Sequence, residues 1–271
     1  MSKNNKDIIY GDAREKISRK KLDKIIKNHS KFLANKPGGV RAVLKNLDLS
    51  KSNLRRVDLS FSIIDNVSLS KSDLTFSKFT NASISNSDFS GSDISHSDLI
   101  DVTLKDVDMT GVTLFNSVLD YSEMRNVVFY RSELRFSSIQ NATIINSHFN
   151  EIKSHSLNLS ASYMYQTTFN KADLHWSIMN LTKIIECEII NTNLFQSKLC
   201  SVCIFNSNLT SSIFSYVSLK CSYIVESDLT AVDFDFASVD SFNINESVID
   251  GMHLTKATII RNSSVNGKSI K

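Results

Sequence analysis

The sequence predicts an all-β solenoid, and three observations predict it. From Leu44 to Ile259 every position numbered with a final 4 or 9 is Leu, Ile, Phe, Met or Val, with the single exception of Ser154, so 43 of 44 such positions are large and apolar. Two residues before each of them stands a smaller residue, most often Ser, Val, Ala or Thr. Proline occurs once, at Pro37, so no later residue lacks the backbone N–H that a stacked ladder of strands uses. A period of five fits neither the helical period of about 3.6 nor the strand period of about 2. A fixed repeat with two inward positions per unit is the mark of a solenoid, whose length counts coils rather than domains.

The unit is plain in Ser72-Asp73-Leu74-Thr75-Phe76, Ser87-Asp88-Phe89-Ser90-Gly91 and Ser92-Asp93-Ile94-Ser95-His96. It reads small residue, Asp or Asn, large apolar residue, two polar residues. In this the chain resembles the pentapeptide-repeat proteins, over about four-fifths of its length. The resemblance implies a right-handed quadrilateral (four-sided) β-helix with four units to a coil; the period of five alone implies only a solenoid. One column of the chain itself supports four sides. Two residues after every fourth centre stand Asn46, Asn66, Asn86, Asp106, Asn126, Asn146, Gln166, Glu186, Asn206, Glu226 and Glu246, a choice that a five-residue rule does not require. Asn and Asp suit a corner where the backbone turns, and stacked amides can bond along a ladder. Four units per coil give about 11 coils and a rod of about 50 Å.

Taken in order, residues 1–41 form a basic N-terminal segment. They hold 12 Lys and Arg against 4 Asp and Glu, whereas residues 42–271 hold 19 against 24. Residues 1–13 are polar and expected to be loose. Residues 15–34 read as an amphipathic helix, with Leu22, Ile25, Ile26, His29, Phe32 and Leu33 on one side and lysines mostly on the other. Pro37-Gly38-Gly39 ends it. A helix laid over the first coil would shield an otherwise unpaired edge, and His29 on its apolar side is expected to pack rather than to bind a ligand.

Residues 42–261 are the β-helix. On the first face the centres run Leu44, Ile64, Ile84 and onward; the second face carries Phe129, Phe149 and Phe169, expected to stack. At Ile152-Lys153-Ser154 the large and small positions exchange, and Leu157 is large for its slot, which predicts a local bend rather than a break. Residues 262–271 lose the pattern and read as a frayed C-terminal tail. With no helix to cover it, the last coil is expected to leave an open edge suited to an oligomer contact.

The same positions bound the function. Cys187, Cys200, Cys203 and Cys221 lie within one short span with a lone C-x-x-C, which predicts free thiols in a reducing compartment and no metal site. The first residues lead into no apolar core of a signal peptide, and no window is apolar enough to span a membrane, so the expected location is cytoplasmic. No Ser-His-Asp arrangement and no Gly-rich phosphate loop is present, no cofactor is implied, and a convex rod offers no obvious pocket, so the chain is not expected to be an enzyme. His155 and His175 fall on adjacent rungs, a poor metal site without a carboxylate in register.

Two surfaces remain. Directly after the first-face centres come Ile145, Tyr165, Ile185, Phe205 and Val225, five consecutive rungs that the repeat points outward, with Tyr163 and Tyr223 beside them. The equivalent earlier positions are Lys45, Asp65, Ser85, Lys105 and Arg125, so this face turns from polar to apolar halfway along. A contiguous apolar stripe marks an interface. The expected function is therefore a scaffold that binds a protein partner, or a second copy in a homodimer, through this strip. The other surface is acidic: Asp48, Asp73, Asp88, Asp93, Asp108, Glu133 and Asp173 precede centres on the second and third faces. The resemblance implies an alternative here, because some pentapeptide-repeat proteins mimic DNA and inhibit a DNA-binding enzyme such as a topoisomerase. Direct binding of nucleic acid is not expected of an acidic rod. A secreted effector or toxin component is a further alternative that the fold allows.

Overall fold

In the computed structural model, which describes residues 13–254, 256 and 259–269, two backbone bonds repeat up the rod. The N–H of a centre donates to the carbonyl 19 residues on, as Leu54 does to Asp73 at 2.8 Å; the N–H before a centre donates 21 residues back, as Asp73 does to Ser52 at 3.0 Å. The result is a parallel β-solenoid with a coil of 20 residues and about 11 turns. Four columns of parallel pairs run its length, beginning Leu44↔Ile64, Asp48↔Ser68, Asn53↔Asp73 and Asp58↔Lys78. Four sides were thus readable in the period of 20.

The corners explain which residues the outward positions avoid. The residue two after each centre from Leu44 to Ile249 has positive φ, among them Asn46 (53°), Lys51 (57°), Arg56 (60°) and Phe61 (61°). Left-handed backbone is strained for L-residues and worst for β-branched ones. Accordingly no such position from 46 to 251 is Val, Ile, Thr or Pro. Because all four corners share this conformation, it cannot account for Asn gathering at one of them. The side chains do: Asn66 Nδ2 donates to Asn46 Oδ1 at 2.9 Å, and Asn126 Nδ2 to Asp106 Oδ1 at 2.7 Å.

The core is a column of inward residues, nearly all fully buried, with Phe129, Phe149 and Phe169 stacked at 4.6 and 4.9 Å. The small inward position is also a hydrogen-bonding position. Ser117 Oγ donates to the Ile94 carbonyl at 2.8 Å while accepting the Ser97 N–H at 3.2 Å, and many buried serines repeat this. At the exchanged unit Ile152, Ser154 and Leu157 are all buried, and the ladder is unbroken: Leu134 N–H reaches the Lys153 carbonyl at 2.8 Å and Ser154 N–H the Asp173 carbonyl at 3.0 Å.

Three expectations need correction at the ends. First, the helix spans Arg19–Leu33 rather than 15–34, because Ser18 is its N-cap and accepts the Lys21 N–H. Glu15–Lys16 instead form a short strand parallel to Leu47–Asp48. Leu22 and His29 are buried under the helix, with Ile25 and Ile26 packed against the same core, so it covers the first coil as its apolar face requires. Residues 1–12, expected to be loose, lie outside the described residues.

Second, the phase does not run unbroken to Ile259. Ser238 pairs with Ile259 and Val239 with Ile260, an offset of 21, whereas Asp233 still pairs with His253 at 20. One extra residue therefore enters after His253, and Ile260, not Ile259, takes the place above the inward Val239. Third, the segment read as a frayed tail carries the slipped register on. Ser264–Val265 pair with Asn243–Ile244, then turn back through Asn266-Gly267 to pair antiparallel with Lys268–Ser269. Both turn residues have positive φ, 45° and 76°, as a two-residue hairpin turn demands. The last coil thus ends under a hairpin rather than as the bare edge the sequence suggested.

Candidate interaction surfaces

The apolar strip is assembled as its spacing implied. Ile145, Tyr165, Ile185, Phe205 and Val225 are direct partners on successive parallel strands. Tyr163 and Tyr223 sit one residue before the inward Met164 and Ile224, so strand alternation puts them on the same outward side. Phe205 and Tyr223 are exposed at 37% and 49%, and the other five are half-buried. Arg125 precedes the strip and Asn245 follows it in the same column. The C-terminal hairpin prolongs this sheet beyond Asn243 instead of folding back across the strip.

An acidic margin borders the strip at the next corner. Glu186, Glu188, Glu226 and Asp228 line an open groove of about 420 Å³ together with Asn206 and Asn208. Glu186 accepts from Gln166 Nε2 at 2.9 Å, and its carboxylate beside the Tyr165 hydroxyl pushes that phenol's pKa up.

The acidic rows have local work in the fold. Asp48, Asp73, Asp88, Asp93 and Asp108 each accept, through Oδ1, the N–H two residues on, at 2.8 to 3.0 Å. This cap closes the turn after the centre and explains why Asp or Asn recurs there. The Ser50 hydroxyl and backbone N–H hold the Asp48 carboxyl below its ordinary range, and Thr75 does the same for Asp73. Asp48 also meets Lys16 at 3.7 Å, Asp88 meets Arg14 at 4.0 Å, and Glu133 is paired with Arg135. Asp173 contacts His175 Nδ1 at 2.6 Å, supplying a carboxylate that the sequence reading did not place there. His175 stacks on His155 at 5.1 Å, and among the described residues no group of three or more His, Cys, Asp or Glu could hold a metal. All four cysteines are free.

The sequence reading missed a third surface, at the corner between the third and fourth faces. Phe76 stacks on His96 at 4.9 Å; His96 meets Phe115 edge-on at 5.4 Å; Phe115 meets Phe136 at 5.7 Å and Phe136 meets His155 at 5.1 Å. The line continues through His175 and Trp176, whose rings are 4.7 Å apart, to Gln196, which accepts the indole N–H at 2.6 Å. Tyr216 then stacks on Phe236 at 4.8 Å. Arg55 covers Phe76 at one end and Lys256 covers Phe236 at the other. The signal was present: Phe76, Phe136, Trp176, Tyr216 and Phe236 all stand two residues after third-face centres.

Residues 40–75 and 72–111 match the family model of pentapeptide repeats, in eight copies. Among solved structures the chain is similar to HetL, a pentapeptide repeat protein involved in heterocyst differentiation regulation from the cyanobacterium Nostoc, with 17% identity, 89% of this chain and 97% of that chain covered, and a TM-score of 0.50. It is also similar to QnrB1, a plasmid-mediated fluoroquinolone resistance protein, at 14% identity over 84% of this chain and 92% of that one, with a TM-score of 0.38. PfbA, a surface adhesin of Streptococcus pneumoniae, matches at 11% identity over 94% of this chain and 83% of that one, with a TM-score of 0.45. HetL shares the fold. No curated protein matches the chain. No helix among the described residues is long and apolar enough to cross a membrane.

Proposed function

From a chain that is a pentapeptide-repeat protein, we propose a non-enzymatic scaffold that binds a partner protein, or a second copy of itself, through the apolar strip on the first face. One observation carries this reading. Five outward apolar residues, Ile145 to Val225, occupy one sheet column without a polar interruption, on a face whose earlier coils carry Lys105 and Arg125 in the same place. A flat β-face packs well on another flat β-face, so a two-fold pair is the simplest assembly. The carboxylates of Glu186, Glu188, Glu226 and Asp228 beside the strip would select a basic margin on a foreign partner. DNA mimicry is not needed to account for the acidic rows, whose aspartates are engaged in turn caps.

The test is the double variant Tyr165→Lys with Phe205→Lys. Both residues point outward, so the fold and thermal midpoint should be little changed. The variant should lose self-association in sizing experiments, or lose the partner captured by the parent protein. Unchanged assembly and unchanged capture would overturn the proposal.

A further inference from the structure

We propose that the aromatic corner between the third and fourth faces is a binding site for a linear, uncharged polysaccharide laid along the rod. The site is separate from the apolar strip. From Phe76 to Phe236 it spans eight coil steps, or about 38 Å at the strand spacing.

Ring-on-ring contact does not use up these side chains. Phe76, Phe136, Trp176 and Tyr216 remain 42%, 51%, 52% and 48% exposed despite their neighbours. Aromatic side chains left this wet along one line offer apolar area every two or three coils. Between the rings lie groups that donate and accept hydrogen bonds: Asn116 with His96 at 3.1 Å, Gln196 with Trp176, and Asp173 with His175. A pyranose chain has the matching character, with apolar C–H faces and hydroxyl edges. Its extended form advances by about one sugar per rung of ~4.8 Å.

Charge and shape disfavour the other polymers. The flanking columns mix signs, with Asp73, Asp93, Glu133, Lys153 and Asp173 on one side and Lys78, Asp98 and Lys198 on the other. Single-stranded nucleic acid needs a continuous positively charged track beside its stacking platforms, and columns of mixed sign do not supply one. A folded protein partner needs breadth, whereas this ladder is about one ring wide at a corner.

Trp176 is the only tryptophan, so its emission reports on the ladder without a label. The full chain is titrated separately with cello-, chito-, manno- and malto-hexaose and with a dodecameric oligodeoxythymidylate, followed by fluorescence and calorimetry. The expected result is saturable binding of at least one hexaose with a change in Trp176 emission. The double variant Phe136→Ala with Tyr216→Ala keeps the reporter, and Ala already occupies the same left-handed conformation at Ala161 and Ala231. It should bind that hexaose at least about tenfold more weakly, the loss expected for two aromatic contacts. No saturable binding of any hexaose by either method overturns the proposal. So does equal binding by the double variant, or binding of the oligodeoxythymidylate in preference to every sugar.

Discussion

Ser97 Oγ donates to the carbonyl of Leu74, 23 residues earlier, at 3.0 Å, and accepts the N–H of Ser77, 20 residues earlier, at 3.0 Å. One buried hydroxyl thus ties a coil to the one below it through both a donor and an acceptor. Ala would fill the space almost as well but leave the N–H and carbonyl with less than their full complement. Ser97→Ala should therefore cost about 1–2 kcal/mol, read as a lower midpoint in chemical unfolding. Ser97→Val should cost more, because it adds volume to a packed position.

Phe149 lies between Phe129 and Phe169 at 4.6 and 4.9 Å and is fully buried. Phe149→Ala should destabilise the rod by about 3–5 kcal/mol, since a column of stacked coils cannot collapse onto the cavity without shifting its ladders. Phe149→Leu keeps most of the volume, as the many Leu centres show, and should cost clearly less. Thermal unfolding of the two variants side by side checks the order.

Gly39 holds the turn after the cap helix against that helix. A Cβ there would lie 2.5 Å from the Phe32 backbone nitrogen, too close for any real contact. Gly39→Ala should push the helix off the first coil, at a cost of about 1–3 kcal/mol. Hydrogen exchange should then speed up selectively over Val43–Asp48, the first strand of the rod. Uniform protection across the rod would count against the helix as its cap.

His29 is fully buried, and its Nδ1 accepts the Ala42 N–H at 3.0 Å. Burial pushes its pKa below 6.5, with the Ser60 backbone and Asp58 pulling the other way. The folded state thus favours the neutral ring. Above pH 6.5 both states are neutral and nothing is lost; as pH falls below 6.5 the unfolded state takes up the proton first, and cap stability declines until the folded pKa is reached. The cap should loosen between neutral and mildly acidic pH, seen as faster exchange at Val43–Asp48. His29→Gln should flatten that dependence.

Asp48, Asp73 and Asp228 shift the opposite way. Hydrogen bonds from Ser50, Thr75 and Thr230 respectively hold their carboxyls below 3.8. Their contribution is present above about pH 4 and lost as pH falls through the lowered folded values. Asp73→Asn should keep the turn, because its amide oxygen can accept the same Thr75 N–H, whereas Asp73→Ala should cost about 1 kcal/mol. Unfolding midpoints at pH 7 and pH 3 separate the two.

The sequence by itself determined the solenoid, its phase from Leu44 to Leu254, the identity of nearly every core residue and the column of Ile145, Tyr165, Ile185, Phe205 and Val225. It could do so because each coil meets only its neighbours, so a local rule repeated at a fixed period already encodes the long-range contacts. What only the tertiary structure decided lay where that rule ends or is silent. The extra residue after His253 and the Asn266-Gly267 hairpin depend on pairing with Ser238 and Asn243, which no periodicity predicts once the period fails. The aspartates preceding centres read in the sequence as a charged surface; that Asp48, Asp73, Asp88, Asp93 and Asp108 also cap turns emerges only in the fold, because hydrogen-bond direction is invisible in a pattern of residue types. The aromatic corner escaped because outward positions carry no apolar rule, and rings such as Phe76 and His96 become neighbours only when 20 residues of chain return to the same corner.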